Sequence, residues 1–238
     1  MTTIALVHGA FHGAWCWDHL RPELEDRGFA VVAPDLPCDD PSAGCVAYAD
    51  TVGTALADVH DEVIIVGHSL GGLTIPLVAT LRPVRRMVFL CAFVPQPGRS
   101  FTAQYGEEEG MFPDSPPETW PVSNADGSMS WPPERAIPAL YPDCPPEIAR
   151  WAAERLRIQT PTPHAEPCPL ETWPKVPSSY VLARQGGAVG AEWARRTARA
   201  RLGVTADEID SGHSPFLSRP KELAALLADI ARRNGVTP

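Results

Sequence analysis

Residues 67–71 read GHSLG, a serine between two glycines in the pattern G-x-S-x-G. The motif follows one apolar run and opens another, the setting of a sharp strand-to-helix turn. Such a turn lifts a serine Oγ above a sheet, near the positive end of a helix dipole, where it can attack a carbonyl carbon. Ser69 is the candidate nucleophile, and Gly67 and Gly71 leave room for the neighbouring backbone. A serine needs a base to take its proton. His213, in DSGHSPF (210–216), lies between the last strand-like run and the last helix-like run. In a parallel sheet that loop leaves at the same edge as the serine turn. His213 also follows Ser69 in the chain order Ser…acid…His. The other histidines fit less well. His8 and His12 sit in the first loop. His68 adjoins the serine but is turned elsewhere by the turn, and His19, His60 and His164 read as solvated surface residues. The small-residue loop HGAFHGAW (8–15) can aim a backbone N–H at a developing oxyanion. Ala10 and Leu70, the residue after the serine, are the two candidate donors.

These groups must be held by a sheet. Apolar runs predict strands over 3–7, 29–34, 62–67, 85–94, 178–183 and 203–210. Helical spacing predicts helices over 15–27, 45–59, 70–81, 189–201 and 215–233. Uniformly apolar strands alternating with helices indicate a mostly parallel sheet of about six strands covered on both faces, an α/β fold. Between 95 and 177 the texture changes: 18 of the 27 prolines fall there, with Trp120, Trp131, Trp151 and Trp173. That stretch is too proline-rich for sheet core and too tryptophan-rich for a linker. The expected organisation is a core of residues 1–94 and 178–238, with a cap over 95–177 whose aromatic residues line an apolar pocket. Phe11 and Trp131 are the candidate lining residues.

The 238 residues carry a net charge of −9. That charge disfavours nucleic acid as a partner. No apolar run approaches the ~20 residues of a membrane helix, so no membrane association is expected. MTTIALVHG has no basic segment ahead of its apolar stretch and does not read as a signal peptide. The six cysteines form no CxxC pair and no zinc spacing, so free thiols and a cytoplasmic location are expected. No metal and no cofactor is implied. The expected partner is a small-molecule substrate, and a homodimer is compatible with such a chain.

LVHGAFHGAWCWDHL, VVAPDLP, VGHSLGG and SGHSPFLSRPKEL together resemble the α/β-hydrolase superfamily. More narrowly, they are similar to the plant-type methylesterase and hydroxynitrile lyase family and its bacterial relatives. The resemblance covers nearly the whole chain. It implies Ser69 as nucleophile, His213 as general base and acid, and Ala10 and Leu70 as oxyanion donors. The lyase branch has a threonine directly after the first-loop histidine and a lysine directly after the catalytic histidine. Gly9 and Ser214 stand there, which puts the chain on the esterase side. The family's catalytic aspartate, counted back from Glu192-Trp193, falls on Gly186. No carboxylate lies between Glu171 and Glu192.

An acid in that place holds the imidazole in the right tautomer and stabilises imidazolium, and its loss costs about 10⁴ in kcat. Asp210, three residues before His213, is the nearest substitute, with Asp207 and Glu208 further back. A Ser–His dyad acting on an activated substrate is a second explanation. A third is elimination, cyclisation or rearrangement with His213 as base. The expectation is serine-dependent hydrolysis of an ester or similar acyl bond in a small hydrophobic substrate. The alternatives are a lyase- or cyclase-type enzyme using His213 as base, or a ligand-binding protein derived from a hydrolase.

Overall fold

The computed structural model describes residues 2–233. Strands form where apolar residues run without a turn residue: β1 (Thr2–Val7), β2 (Phe29–Val32), β3 (Glu62–His68) and β4 (Arg86–Leu90). Two more, β7 (Ser178–Ala183) and β8 (Asp207–Ile209), complete a six-stranded sheet of order β2-β1-β3-β4-β7-β8. Every pairing in it is parallel. The antiparallel pair β5 (Val122–Ser123) and β6 (Met129–Ser130) stands apart.

Alternate residues divide the core. Val7, Ile65, Phe89 and Tyr180 face one side, under α2 (Cys45–Ala55), α3 (Ile75–Leu81) and α8 (Ala191–Leu202). Leu6, Val66, Val88 and Val181 face the other, under α1 (Arg21–Glu25) and α10 (Pro220–Arg232). This is the period-two signature of a sheet buried on both faces. The order reverses between β1 and β3, so the loops after these two strands diverge and leave a crevice at their C-terminal ends. Such a switch point is where ligands bind in open parallel sheets. The first loop and the serine turn both open onto it.

Three expected helices are broken, each by a proline. Residues 15–27 become a 3₁₀ turn (Ala14–Trp17) and then α1, with Pro22 in its first turn. Residues 70–81 become a 3₁₀ turn (Ser69–Leu73) and then α3, with Pro76 in its first turn. Residues 215–233 become α9 (Pro215–Ser218) and α10, which starts at Pro220. Proline has no N–H to donate into a preceding turn but suits the start of a helix, so each sits in the first turn of the restarted helix. The 85–94 run stops being strand at Leu90, because Cys91 takes a left-handed φ of 46°.

Between β4 and β7 the chain leaves the sheet. It forms α4 (Phe101–Glu107), a 3₁₀ turn (Pro117–Thr119), the β5–β6 pair, α5 (Pro133–Leu140), α6 (Pro146–Ala153) and α7 (Thr162–Ala165). Its four tryptophans do not share one pocket. Trp120 is exposed, Trp151 packs edge-on to Trp15 and His19, and Trp173 stacks on Phe89. Trp131 meets Phe11 of the first loop, edge-to-face at 5.1 Å. The large rings are spent fastening an irregular segment to both sides of the sheet. A segment with little regular structure needs such anchors to offset its ordering entropy.

One end of the segment is fastened by charge. Glu108, at the end of α4, pairs with Arg201 of α8 and accepts from Trp193 Nε1 at 2.8 Å and Gln96 Nε2 at 3.2 Å. The Glu108 and Arg201 side chains are only 17% and 16% exposed. Glu108→Ala leaves a poorly solvated guanidinium without its counter-charge. The expected loss is about 2–3 kcal/mol of stability, read as a Tm lowered by roughly 5–10 °C in a chain of this size. A Tm within about 1 °C of the parent, on the same scale, would show that the pair does not tie the segment down.

Candidate active site

The turn after β3 places Ser69 at a left-handed φ of 51°, with the residue 9% exposed. The glycines on either side are needed for this. A Cβ at Gly67 would lie 2.7 Å from the Gly71 carbonyl oxygen, and one at Gly71 would lie 2.7 Å from the carbonyl oxygens of Val7 and His8. The serine turn therefore packs backbone to backbone against the end of β1. The Ser69 carbonyl is held in turn by the Phe93 N–H at 3.1 Å. Among the described residues, the non-glycines with positive φ are Phe11, Ser69 and Cys91. They follow β1, β3 and β4, three adjacent strands, at the same sheet edge. Strained backbone of this kind persists only where packing enforces it, and it concentrates at functional sites.

His213 lies in the loop between β8 and α9 and is 2% exposed. Its ring stands 4.7 Å from that of His68, and the His213 carbonyl is 3.1 Å from His68 Nε2. The carbonyl can only accept, so His68 carries its proton on Nε2 and donates. The residue before the serine thus holds the backbone of the histidine. His12 follows the same logic. Its Nδ1 faces the Ala10 carbonyl at 2.8 Å and donates, so its Nε2 accepts from the Tyr141 hydroxyl at 2.9 Å. His8 donates from Nδ1 to the Gly9 carbonyl and accepts the Leu36 N–H on Nε2 at 2.9 Å. Three imidazoles in neutral, defined tautomers brace the first loop, the serine turn and the His213 loop.

Burial keeps these rings neutral. It pulls His8 and His12 down to about 4, His213 to about 3, and His68 well below the usual histidine range. For His213 the neighbouring His12 adds to the effect of burial. His164, expected on the surface, is half-buried against Phe101 and is also lowered by burial to about 4.

The other expected site residues are placed as follows. Leu70 is buried at the start of the 3₁₀ turn, where the first N–H groups have no partner within the helix. The Ala10 peptide is held through its carbonyl by His12. Phe11 and Trp131 are in contact. Asp210 is exposed, and its carboxylate accepts from Gln185 Nε2 at 3.2 Å. As the last residue of a sheet-edge segment it is turned to solvent, so the structure does not bring it to the His213 ring.

Gly186 has a φ of 80°, and a Cβ there would meet nothing within 4 Å. A small cavity beside it, bounded by Cys91, Tyr180, Leu182, Ala183 and His213 among others, has about 10 Å³ for the centre of a water molecule. That is room for about one. Gly187 differs: a Cβ there would strike His213 Cβ at 2.6 Å. Among the described residues no group of three His, Cys, Asp or Glu is placed to hold a metal, and no helix is long and apolar enough to cross a membrane. The six cysteines are free thiols. The bracing roles of His68, His12 and Tyr141 were not anticipated. For His68 the only signal was its place inside the serine motif.

A parallel sheet with a strained serine at a strand-to-helix turn, and a histidine in the loop after the last strand, defines an α/β hydrolase. The chain matches the alpha/beta hydrolase family over residues 4–226 and belongs to it. It is 30% identical to a pyrethroid hydrolase of Sphingobium wenxiniae, over 97% of this chain and 88% of that protein. It is 26% identical to methylesterase 3 of Arabidopsis thaliana, over 97% of this chain and 96% of the other. A crystal structure of a pyrethroid hydrolase from Sphingobium faniae aligns with a TM-score of 0.77 at 26% identity, covering 97% of each chain.

The buried histidines make stability depend on pH. Unfolded, each binds a proton near pH 6.5; folded, His8, His12 and His164 do so only near 4 and His213 near 3. Between these values the unfolded state holds more protons, so stability falls as pH falls. Each ring contributes up to about 1.4 kcal/mol per pH unit. Urea denaturation at pH 7, 6 and 5 is expected to show full stability at pH 7 and a steep decline below 6. A flat profile from 7 to 5 would mean that the rings are protonated in the folded state.

Proposed function

We propose that the chain hydrolyses an ester or similar acyl bond in a small hydrophobic substrate by covalent catalysis at Ser69. The observation that carries this reading is the left-handed Ser69 backbone, enforced by the Gly67 and Gly71 contacts, with the ring of buried His213 4.7 Å from that of the adjoining His68. His213 takes the Ser69 proton as Oγ bonds to the carbonyl carbon. The N–H groups of Ala10 and Leu70 receive the oxyanion. His213 then protonates the leaving group, and water repeats the sequence in reverse order to free the acid. Phe11 and Trp131 form the apolar wall of the acyl or leaving-group site. The segment over 95–177 acts as a cap. With Ser69 9% and His213 2% exposed, substrate enters as that segment shifts. The activities named for the pyrethroid hydrolase and methylesterase relatives support ester cleavage.

Without a carboxylate at position 186, imidazolium is less stabilised than in a complete triad. Substrates with good leaving groups, which demand less of the base, are favoured. Turnover of p-nitrophenyl acetate is expected to exceed that of ethyl acetate. Ser69→Ala should lower p-nitrophenyl acetate turnover by at least ~10²-fold, the scale set by nucleophile removal elsewhere. Equal turnover by the parent and Ser69→Ala would remove the hydrolytic reading. Lyase- or cyclase-type chemistry with His213 as base, or ligand binding alone, would then remain.

A further inference from the structure

We infer that Asp143 of the cap is a positioning residue for His213, supplying from above the negative charge that Gly186 does not. The inference rests on the proposed role of His213 as the base for Ser69. Asp143 lies in the turn between α5 and α6, in the sequence YPDC (141–144). Both of its carboxyl oxygens are buried, and neither has a hydrogen-bond partner. The carboxyl rests on Gly212, the residue directly before His213: a Cβ at Gly212 would stand 2.6 Å from Asp143 Oδ1 and 3.2 Å from its Cγ. Any side chain at 212 would displace the carboxylate, so the glycine gives it access to the His213 loop.

The charge also reaches the cavity beside the histidine. Cys91 bounds that cavity together with Gly186 and His213. Its thiol is pushed up to about 12, first by burial and also by Asp143. The titratable groups around the pair are His12 and His68 from the first loop and serine turn, Cys91 after β4, Cys144 beside Asp143, and Asp210 on the His213 segment itself. Arg219, which acts on Cys144, is the nearby cation. Asp210 is engaged by Gln185 at the surface.

A desolvated carboxylate with no partner is costly unless a cation appears beside it. A desolvated imidazole resists protonation for the mirror-image reason. The two costs offset each other during turnover. As Ser69 Oγ bonds to the substrate carbon and its proton passes to His213, imidazolium forms on the residue directly after Gly212, against which the Asp143 carboxylate rests. Asp143 gives up and takes no proton. It acts through the field at the histidine and through the Gly212 backbone, and it touches no reacting atom.

The test compares Asp143→Asn with the parent in the full chain, with circular dichroism as the check on folding. Asp143→Ser serves as a second variant should the first not fold. The expected result is a kcat for p-nitrophenyl acetate lowered ~10–100-fold, less than the ~10⁴ of a lost triad acid in direct contact, with KM changed by less than about threefold. Gly186→Asp added to Asp143→Asn should restore kcat, because a carboxylate then stands at the family's usual position.

A readout independent of turnover comes from ¹⁵N NMR at neutral pH on Ser69→Ala protein. Asp143→Asn should move the His213 ring signals and leave those of His8 unchanged. Unaltered His213 signals and unaltered kcat in a folded variant would overturn the inference. Ring signals that move in a protein with no Ser69-dependent turnover would sustain the Asp143–His213 coupling and remove the hydrolytic reading instead. Serine-dependent turnover with unmoved ring signals would do the reverse.

Discussion

The backbone at Ser69 is the constraint from which the rest of the site follows. A non-glycine residue at a φ of 51° sits in a sparsely populated conformation, at a cost of order 1–3 kcal/mol. It is held there from several sides. The turn packs against the last carbonyls of β1, an approach that only glycine permits at 67 and 71. The Phe93 N–H fixes the Ser69 carbonyl. Pro76 stops α3 from extending back and forces the chain after the serine into a tight 3₁₀ turn. The crevice between β1 and β3 exists because the strand order reverses there, and the strained turn faces it.

The buried imidazoles are the second level of support. A histidine with one nitrogen donating to a carbonyl and the other accepting from an N–H or O–H is a rigid, uncharged strut. His8 and His12 both meet this description, and His68 does so on one side, through the His213 carbonyl. The struts join four segments far apart in sequence: the first loop, the serine turn, the His213 loop and, through Tyr141, the segment between β4 and β7. The same burial that makes them rigid makes the His213 ring resist protonation. Structural precision and ease of protonation are opposed here, because both follow from desolvation.

The first five strands of the sheet are readable because they are runs of β-branched and apolar residues; β8, Asp-Glu-Ile, is only three residues of the expected 203–210. The serine turn was readable because glycine spacing and flanking apolarity agree with each other. The broken helices were not. Apolar periodicity continues unbroken through Pro22, Pro76 and Pro220, while the backbone does not. The cap tryptophans were read as pocket lining because composition carries no address: only Trp131 reaches Phe11, and Trp151 and Trp173 serve the two faces of the sheet. Asp210 is only the nearest carboxylate in sequence to His213, and the structure leaves it exposed with Gln185 as its partner. Asp143 lies 70 residues from His213 and meets the adjoining Gly212 through the turn between α5 and α6, a juxtaposition that no local pattern encodes.

The segment LARQGG shows how the two functions of a triad acid come apart. Such an acid both orients an imidazole and stabilises its charge. Here the backbone retains the first task. The Arg184 and Gln185 N–H groups donate to the Ile209 and Ser211 carbonyls at 2.9 and 3.0 Å, continuing the β7–β8 pairing up to the His213 loop. Gly187 then lies directly against His213 Cβ, where no side chain fits. Residue 187 is therefore glycine for a steric reason that acts on the histidine itself. Residue 186 has open space around it, and its left-handed φ of 80° is what favours glycine there. The His213 backbone and Cβ are thus held by Gly187 and by the His68 side chain. What Gly186 gives up is charge, and charge, unlike contact geometry, can be delivered from another element of the fold.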